Sequence, residues 1–283
     1  MSDPLSAPGH SSSGSRRTLI DTRFGQMHVR IAGHYSSIDR PPLVLLHMTP
    51  LSGAMYDPLL PRLGQERVVV APDRLGFGFS DFPTQPLTMA DYAQATLDVV
   101  DTLEIDRFDV LGTHTGSVEA TELAWSQPER VRKVALVAIP AYTSEELEQR
   151  EYRLSDGPPP AEDGSHLAWH WKRRFLYREP PLDLSLMQWR LLQELLAGQK
   201  LWWPYRAVFS YPMAERLAQL EQPLLVLAPH DDLWEQTDRL RRSGGLPPGT
   251  QFVDLPHLGL DITLDAPDQL ASLVQTFLNA RGT

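Results

Sequence analysis

The 283-residue chain has no cysteine, and that absence removes disulfides, thiolate catalysis and cysteine-bound metals together. Nothing in it approaches the roughly 18 consecutive apolar residues of a membrane span, and the opening "MSDPLSAPGHSSSGSRR" lacks the apolar stretch of a secretory signal. Positive charge is also scarce: 26 Lys and Arg stand against 36 Asp and Glu, a net charge of -10. No basic stripe is available to follow a phosphate backbone. The short patches Arg130 to Lys133 and Lys172 to Arg174 read as solvated faces. There is no Gly-rich phosphate loop or flavin motif, so no cofactor is expected. The chain reads as a soluble, cytoplasmic protein with a Ser/Gly/Pro-rich leader over residues 1–17, whose partner is a small-molecule substrate rather than nucleic acid or membrane.

What is present is a regular beat of short apolar runs. "PPLVLLH" (41–47), "RVVVAPD" (67–73), "FDVLG" (108–112), "VALVAIP" (134–140), "PLLVLAP" (223–229) and "FVDL" (252–255) look like strands buried on both faces, which belong to parallel sheets. Two alternating stretches around Phe24 to Gln26 predict a hairpin at a sheet edge. Amphipathic helices are predicted between several runs, over 89–103, 117–125 and 267–280. Strand and helix alternate, so the fold class is α/β with a doubly wound sheet.

The beat stops at residues 141–222, which hold Trp169, Trp171, Trp189, Trp202 and Trp203 of the seven tryptophans. This segment is too long for a simple crossover. It reads as a helical insert over the C-terminal edge of the sheet, where open α/β folds bind ligands. Each tryptophan singly is equally well explained by a self-packed subdomain. Together they predict an apolar cavity, with Trp169, Trp202 and Trp203 on its wall beside Met48 and Leu260.

Five stretches stand in the order of one family. "LVLLHMTPLSGAMYDPLLPRL" resembles the His-Gly-x-Pro segment of α/β-hydrolases, with Met48 in place of the Gly. "VVVAPDRLGFGFSDFP" matches an Asp-x-x-Gly-x-Gly-x-Ser loop at Asp73, Gly76, Gly78 and Ser80. "DVLGTHTGSVEATELAW" resembles the turn on which Gly-x-Ser-x-Gly presents a nucleophile. "PLLVLAPHDDLWEQ" and "FVDLPHLGLDITLDAPDQL" are similar to the stretches carrying the family's acid and its histidine. The resemblance covers residues 18 to 280 and implies an α/β-hydrolase fold with an eight-stranded, mostly parallel sheet, flanking helices, a core over 18–140 and 223–283, and a helical cap over 141–222. Among capped members it looks like the group of proline iminopeptidases, haloalkane dehalogenases, epoxide hydrolases and carbon-carbon bond hydrolases.

That family's chemistry needs an elbow nucleophile, a last-loop histidine and an acid to orient the histidine. Alignment on Gly112 and Gly116 puts His114 on the nucleophile position. Alignment on Gly259 and Pro267 puts Leu260 on the histidine position, with His257 three residues before it. Asp232 falls on the acid position, and Asp231 is the alternative. An imidazole reaches farther than a serine hydroxyl, so a ring at 114 can occupy the space vacated at 260 and meet the acid directly. The expected catalyst is His114 as a carboxylate-oriented general base. Its substrate is a small, largely apolar carbonyl compound, cleaved at an ester, lactone or carbon-carbon bond or opened by proton abstraction. The backbone N–H groups of Thr49 and Thr115 form the expected oxyanion hole. Two other readings stand: His114 as nucleophile with His257 as base, and a binding protein that has lost the chemistry. His47, His114, Asp232 and His257 are ligand types without a recognisable metal spacing, so no metal is expected. His47, Asp73 and Ser80 read as scaffold.

Overall fold

A computed structural model describes residues 15–33, 40–151, 158–176 and 182–280. Most of the expected leader, residues 1–14, lies outside them. The remainder does not behave as leader, since Ser15, Arg16 and Arg17 already belong to the first strand. That strand, β1 (Ser15–Thr22), and β2 (Gly25–Ala32) form the antiparallel edge hairpin. The other strands are β3 (Leu43–Leu46), β4 (Val69–Pro72), β5 (Phe108–Thr113), β6 (Val131–Val137), β7 (Leu224–Pro229) and β8 (Gln251–Leu255). They make one eight-stranded sheet in the order β1-β2-β4-β3-β5-β6-β7-β8. Only β1–β2 and β2–β4 are antiparallel; the five other pairings are parallel.

The apolar runs are strands because both of their faces are covered. Along β3, Val44 and Leu46 join one hydrophobic core cluster while Leu43 and Leu45 join the other, the two-residue alternation of a pleated strand. The first cluster is closed by α2 (Met89–Thr102) and α3 (Thr115–Ser126), through Tyr92, Val99, Val118 and Leu123. The second is closed by the short α1 (Leu60–Leu63) and by α11 (Pro267–Asn279), through Leu270, Val274 and Phe277. Helix starts carry local signals. Thr88 Oγ1 accepts from the Asp91 amide at 3.2 Å, and Asp91 Oδ2 accepts from the Thr88 amide at 2.9 Å, a reciprocal cap on α2.

Between β6 and β7 lie α4 (Ser144–Glu151), α5 (Ser165–Arg173), α6 (Leu184–Ala197), a 3-10 turn (Gly198–Trp202), α7 (Trp203–Phe209) and α8 (Met213–Ala218). Asp183 caps α6 by accepting from the amides of Ser185 and Leu186. The buried residues of α6, Leu186, Met187, Arg190, Glu194 and Ala197, recur at three- and four-residue spacing. One helical face therefore carries an arginine and a glutamate inward along with its hydrocarbon. After β7 come α9 (Trp234–Arg242) and, after β8, α10 (Ile262–Asp265). No helix among the described residues is long and apolar enough to cross a membrane.

Candidate active site

The C-terminal ends of β3, β5 and β7 converge on one point. At the end of β5 the chain reverses sharply into α3, and His114 stands at the corner with φ +53° and ψ -112°. A non-glycine residue with positive φ is under local strain of about 1–3 kcal/mol and persists only where its surroundings hold it. Here the His114 amide donates to Val137 O at 2.9 Å and the Ser117 amide donates to His114 O at 2.8 Å. The Ser117 hydroxyl is also spent on this backbone, 3.0 Å from Gly112 O and 3.1 Å from Val137 O. Side chains are excluded on both flanks. A Cβ on Gly112 would strike the Gly116 carbonyl, and one on Gly116 would strike the Leu46 carbonyl of β3. These contacts give the two glycines of the motif their physical reason: strand and helix approach too closely for anything larger.

The His114 ring is nearly buried, with 12% of its side chain exposed, and its Nε2 lies 2.8 Å from Asp231 Oδ2. The Asp231 side chain is only 1% exposed. Its other oxygen, Oδ1, accepts from the Leu233 amide at 2.9 Å, which fixes the carboxylate and aims Oδ2 at the ring. Burial opposes the imidazolium, but the charge of Asp231, its hydrogen bond and the charge of Asp232 outweigh burial and the opposing Arg190, so the ring's pKa rises above 6.5. In the neutral ring, a carboxylate at Nε2 selects the tautomer with the proton on Nε2. Nδ1 then carries the lone pair, and it has no hydrogen-bond partner among the described residues.

His114 lines a cavity of about 150 Å³ between the sheet ends and the segment 141–222. That volume matches one able to hold a benzene-sized molecule. Met48, Thr49, Thr115, Asp232 and Leu260 share the core side of the wall, while Arg173, Arg174, Arg190, Tyr142, Tyr205 and Phe209 are among the residues closing the other side. Arg190 pairs with Asp261 and lies 3.6 Å from Met48 Sδ. Arg174 pairs with the buried Glu194, which also meets His170 Nδ1 at 2.6 Å. Tyr205 Oη donates to Thr49 O at 3.1 Å.

The family model for the alpha/beta hydrolase fold matches residues 41–259. The chain belongs to that family. Two curated relatives from Bacillus subtilis (strain 168) are similar to this α/β-hydrolase along almost their full length. An uncharacterized carboxylesterase is 27% identical over 92% of this chain and 86% of its own, and the carboxylesterase YbfK is 26% identical over 93% and 88%. Among solved structures, the enol-lactonase of Burkholderia xenovorans LB400 shares the fold with a TM-score of 0.78 at 19% identity, over 93% of this chain and 100% of that one.

Several expected roles move within this α/β-hydrolase. The acid on the ring is Asp231, not Asp232. Asp232 faces the cavity instead, because the fixed Asp231 carboxylate already occupies the approach to Nε2. His257 is exposed in the turn after β8, off the cavity wall, so its assignment as a base fails on access. Leu260 does line the same cavity as His114. Among the described residues, the wall contains none of the three tryptophans expected there. Trp202 is buried in a small cluster with Phe77, Ala197 and Leu201, Trp203 faces the Lys200 ammonium, and Trp169 is 37% exposed. Nor are the basic patches only solvated faces, since Arg173 and Arg174 reach the cavity. Lys133 is buried, donating to Phe277 O at 2.9 Å and Ala280 O at 2.7 Å at the end of α11. The expected apolar wall is therefore lined in part by guanidinium groups. One sequence signal pointed there: Arg190 and Glu194 stand on the periodic apolar face of α6, where an unpaired charge is too costly to be incidental.

His114, Asp231 and Asp232 present ligand atoms within 4.8 Å of one another, the set among the described residues able to chelate a cation. A metal drawing on His47 or His257 has no geometric basis. His47 is buried with Nδ1 donating to Met48 O and Nε2 accepting from the Arg74 amide, each at 2.8 Å. Burial and the Arg74 charge hold its pKa down to about 3, so it is a neutral tie between the ends of β3 and β4. Asp73 is a second tie. It is fully buried and accepts from Arg30 Nη1 at 2.5 Å, the Gly53 amide at 2.8 Å and the Phe79 amide at 3.1 Å, and it pairs with His28 Nδ1 at 2.8 Å.

Proposed function

We propose that this chain is an ester or lactone hydrolase that activates water directly, with His114 Nδ1 as general base and no covalent acyl intermediate. One observation carries the reading: the elbow side chain is an imidazole whose Nε2 is held by a buried carboxylate while the ring faces a cavity. Carboxylesterase relatives that match most of the chain favour ester cleavage over elimination. Nδ1 removes a proton from a water as its oxygen bonds to the substrate carbonyl carbon. The carbonyl oxygen takes up the negative charge and is held by the amides of Thr49 and Thr115. The amide of Thr115, at the first position of α3, has no carbonyl four residues before it within the helix. As the tetrahedral intermediate collapses, the C–O bond to the alcohol breaks and Nδ1–H protonates the leaving oxygen, giving acid and alcohol and restoring the neutral ring. General base catalysis contributes roughly 10²–10⁴ in rate, and each oxyanion donor a further ~10²–10³.

The test is hydrolysis of short 4-nitrophenyl esters and small lactones by the full chain and by His114→Ala. Turnover lost in the variant, with nitrophenolate release linear from the first turnover and no stoichiometric burst in the parent, supports the reading. Unchanged turnover in His114→Ala, or an adduct on the His114 ring detected by mass spectrometry, overturns it.

A further inference from the structure

Arg173 is one of the cavity-lining charges that the proposed water activation does not use. It closes α5, whose C-terminal carbonyls favour a cation in the last turn, and about one third of its side chain is exposed. Among the described residues its nearest carboxylate oxygen, Glu194 Oε1, is 4.0 Å from Nε, beyond hydrogen-bonding reach. Nε is buried and has no hydrogen-bond partner among the described residues. Aromatic faces hold the group instead: its guanidinium carbon lies 4.8 Å from the centre of the Trp169 ring and 5.3 Å from that of Trp202. A cation set over indole faces spends no N–H on a carbonyl or carboxylate oxygen, which leaves its donors for an acceptor. The two oxygens of a carboxylate match a guanidinium edge as a bidentate pair.

We infer that Arg173 recognises a carboxylate on the substrate, so that this hydrolase takes short monoesters of dicarboxylic acids in preference to neutral esters. The inference rests on the proposed hydrolysis for its substrate class, but the binding it asserts is independent of turnover. The cavity of about 150 Å³ limits the chain joining the two carbonyl carbons to a few carbons. Trp169 and Trp202, which do not touch the cavity, acquire a role as the support that presents the cation.

The experiment has two arms on the full chain. In the first, kcat/KM is measured for mono-4-nitrophenyl glutarate and for neutral 4-nitrophenyl butyrate. The ratio of the two should favour the monoanion and fall by roughly tenfold or more in Arg173→Gln, through KM, with Arg173→Lys keeping only part of the preference because it retains charge without the planar fork. In the second, glutarate binding is followed by calorimetry, and Arg173→Gln should weaken it by about the same factor. Absence of glutarate binding to the parent chain, or equal binding by parent and Arg173→Gln, overturns the inference. If no ester is turned over while glutarate binds through Arg173, the hydrolytic reading falls and the recognition site stands.

Discussion

Replacing Asp231 by Asn tests the pairing on which the mechanism turns. The asparagine keeps the shape of the carboxylate but has one acceptor oxygen where two are needed. In the parent, Oδ1 accepts from the Leu233 amide and Oδ2 from His114 Nε2. If the amide oxygen stays on Leu233, its NH₂ faces Nε2, and the ring must become an acceptor there with its proton moved to Nδ1. The proposed base is then disabled in place. Hydrogen bonds to charged groups contribute about 1.5–3 kcal/mol; at 1.4 kcal/mol per decade, lost orientation alone slows the reaction by roughly 10- to 150-fold, and the wrong tautomer adds to that. The ring's pKa should fall too, because burial, the largest influence on it, is then opposed only by Asp232. Selective ¹³Cε1 labelling of the nine histidines, with His114 assigned by its loss in His114→Gln, reads this without any substrate. The parent ring should titrate above 6.5 and the Asp231→Asn ring below the parent value. Asp232→Asn should give a smaller downward shift, since Asp232 acts through charge alone. Stability follows the same sign. A raised histidine pKa stabilises the fold fully below the unfolded value near 6.5, and that contribution disappears as pH rises through the folded value. The gap in urea midpoint between parent and Asp231→Asn should therefore narrow as the pH rises above 6.5 and through the raised folded-state value. An unmoved titration in Asp231→Asn, or a larger shift in Asp232→Asn, would refute the assignment of the acid.

Gly116→Ala places a methyl against the Leu46 carbonyl, and neither backbone can yield without opening the sheet, so a loss of more than about 3 kcal/mol is expected, read as the urea midpoint or as failure to recover folded protein; a stable variant would show that α3 can move away from β3. Leu260→His in the parent background crowds two rings into one space and should lower stability by about 1–3 kcal/mol. Combined with His114→Ser, the same change restores a serine, a last-loop imidazole and an acid, and should produce an acyl-enzyme burst with 4-nitrophenyl acetate that neither single variant gives. Absence of a burst in the folded double variant would mean that Leu260 does not stand where the missing ring belongs.

The architecture was legible because it rests on signals that survive in one dimension. Val44 and Leu46 on one face and Leu43 and Leu45 on the other make an unbroken apolar run, which only a strand covered on both sides accommodates. The elbow was legible for a similar reason, since Gly112 and Gly116 mark a backbone approach that no side chain tolerates. What the sequence did not determine was direction. Asp231 and Asp232 are adjacent in a loop, and which one meets the ring depends on the Leu233 amide capturing one carboxylate first. In the cap, helical periodicity located the helices but not the neighbours their faces would meet. Arg173 and Arg174, read as a solvated patch, turn inward because α5 ends at the cavity. Trp169, Trp202 and Trp203, expected on the wall, do not line it.

The twist of the main chain at position 114 also restricts what evolution can place there. Branching at Cβ is incompatible with a positive φ, whereas His, Asn and Asp tolerate it comparatively well, so valine, isoleucine and threonine are barred by geometry before any question of reactivity arises. The corner admits small or polar side chains and orients each toward the same hollow. The reactive group can be changed at that point without disturbing the turn, while an inert aliphatic branch cannot readily settle there.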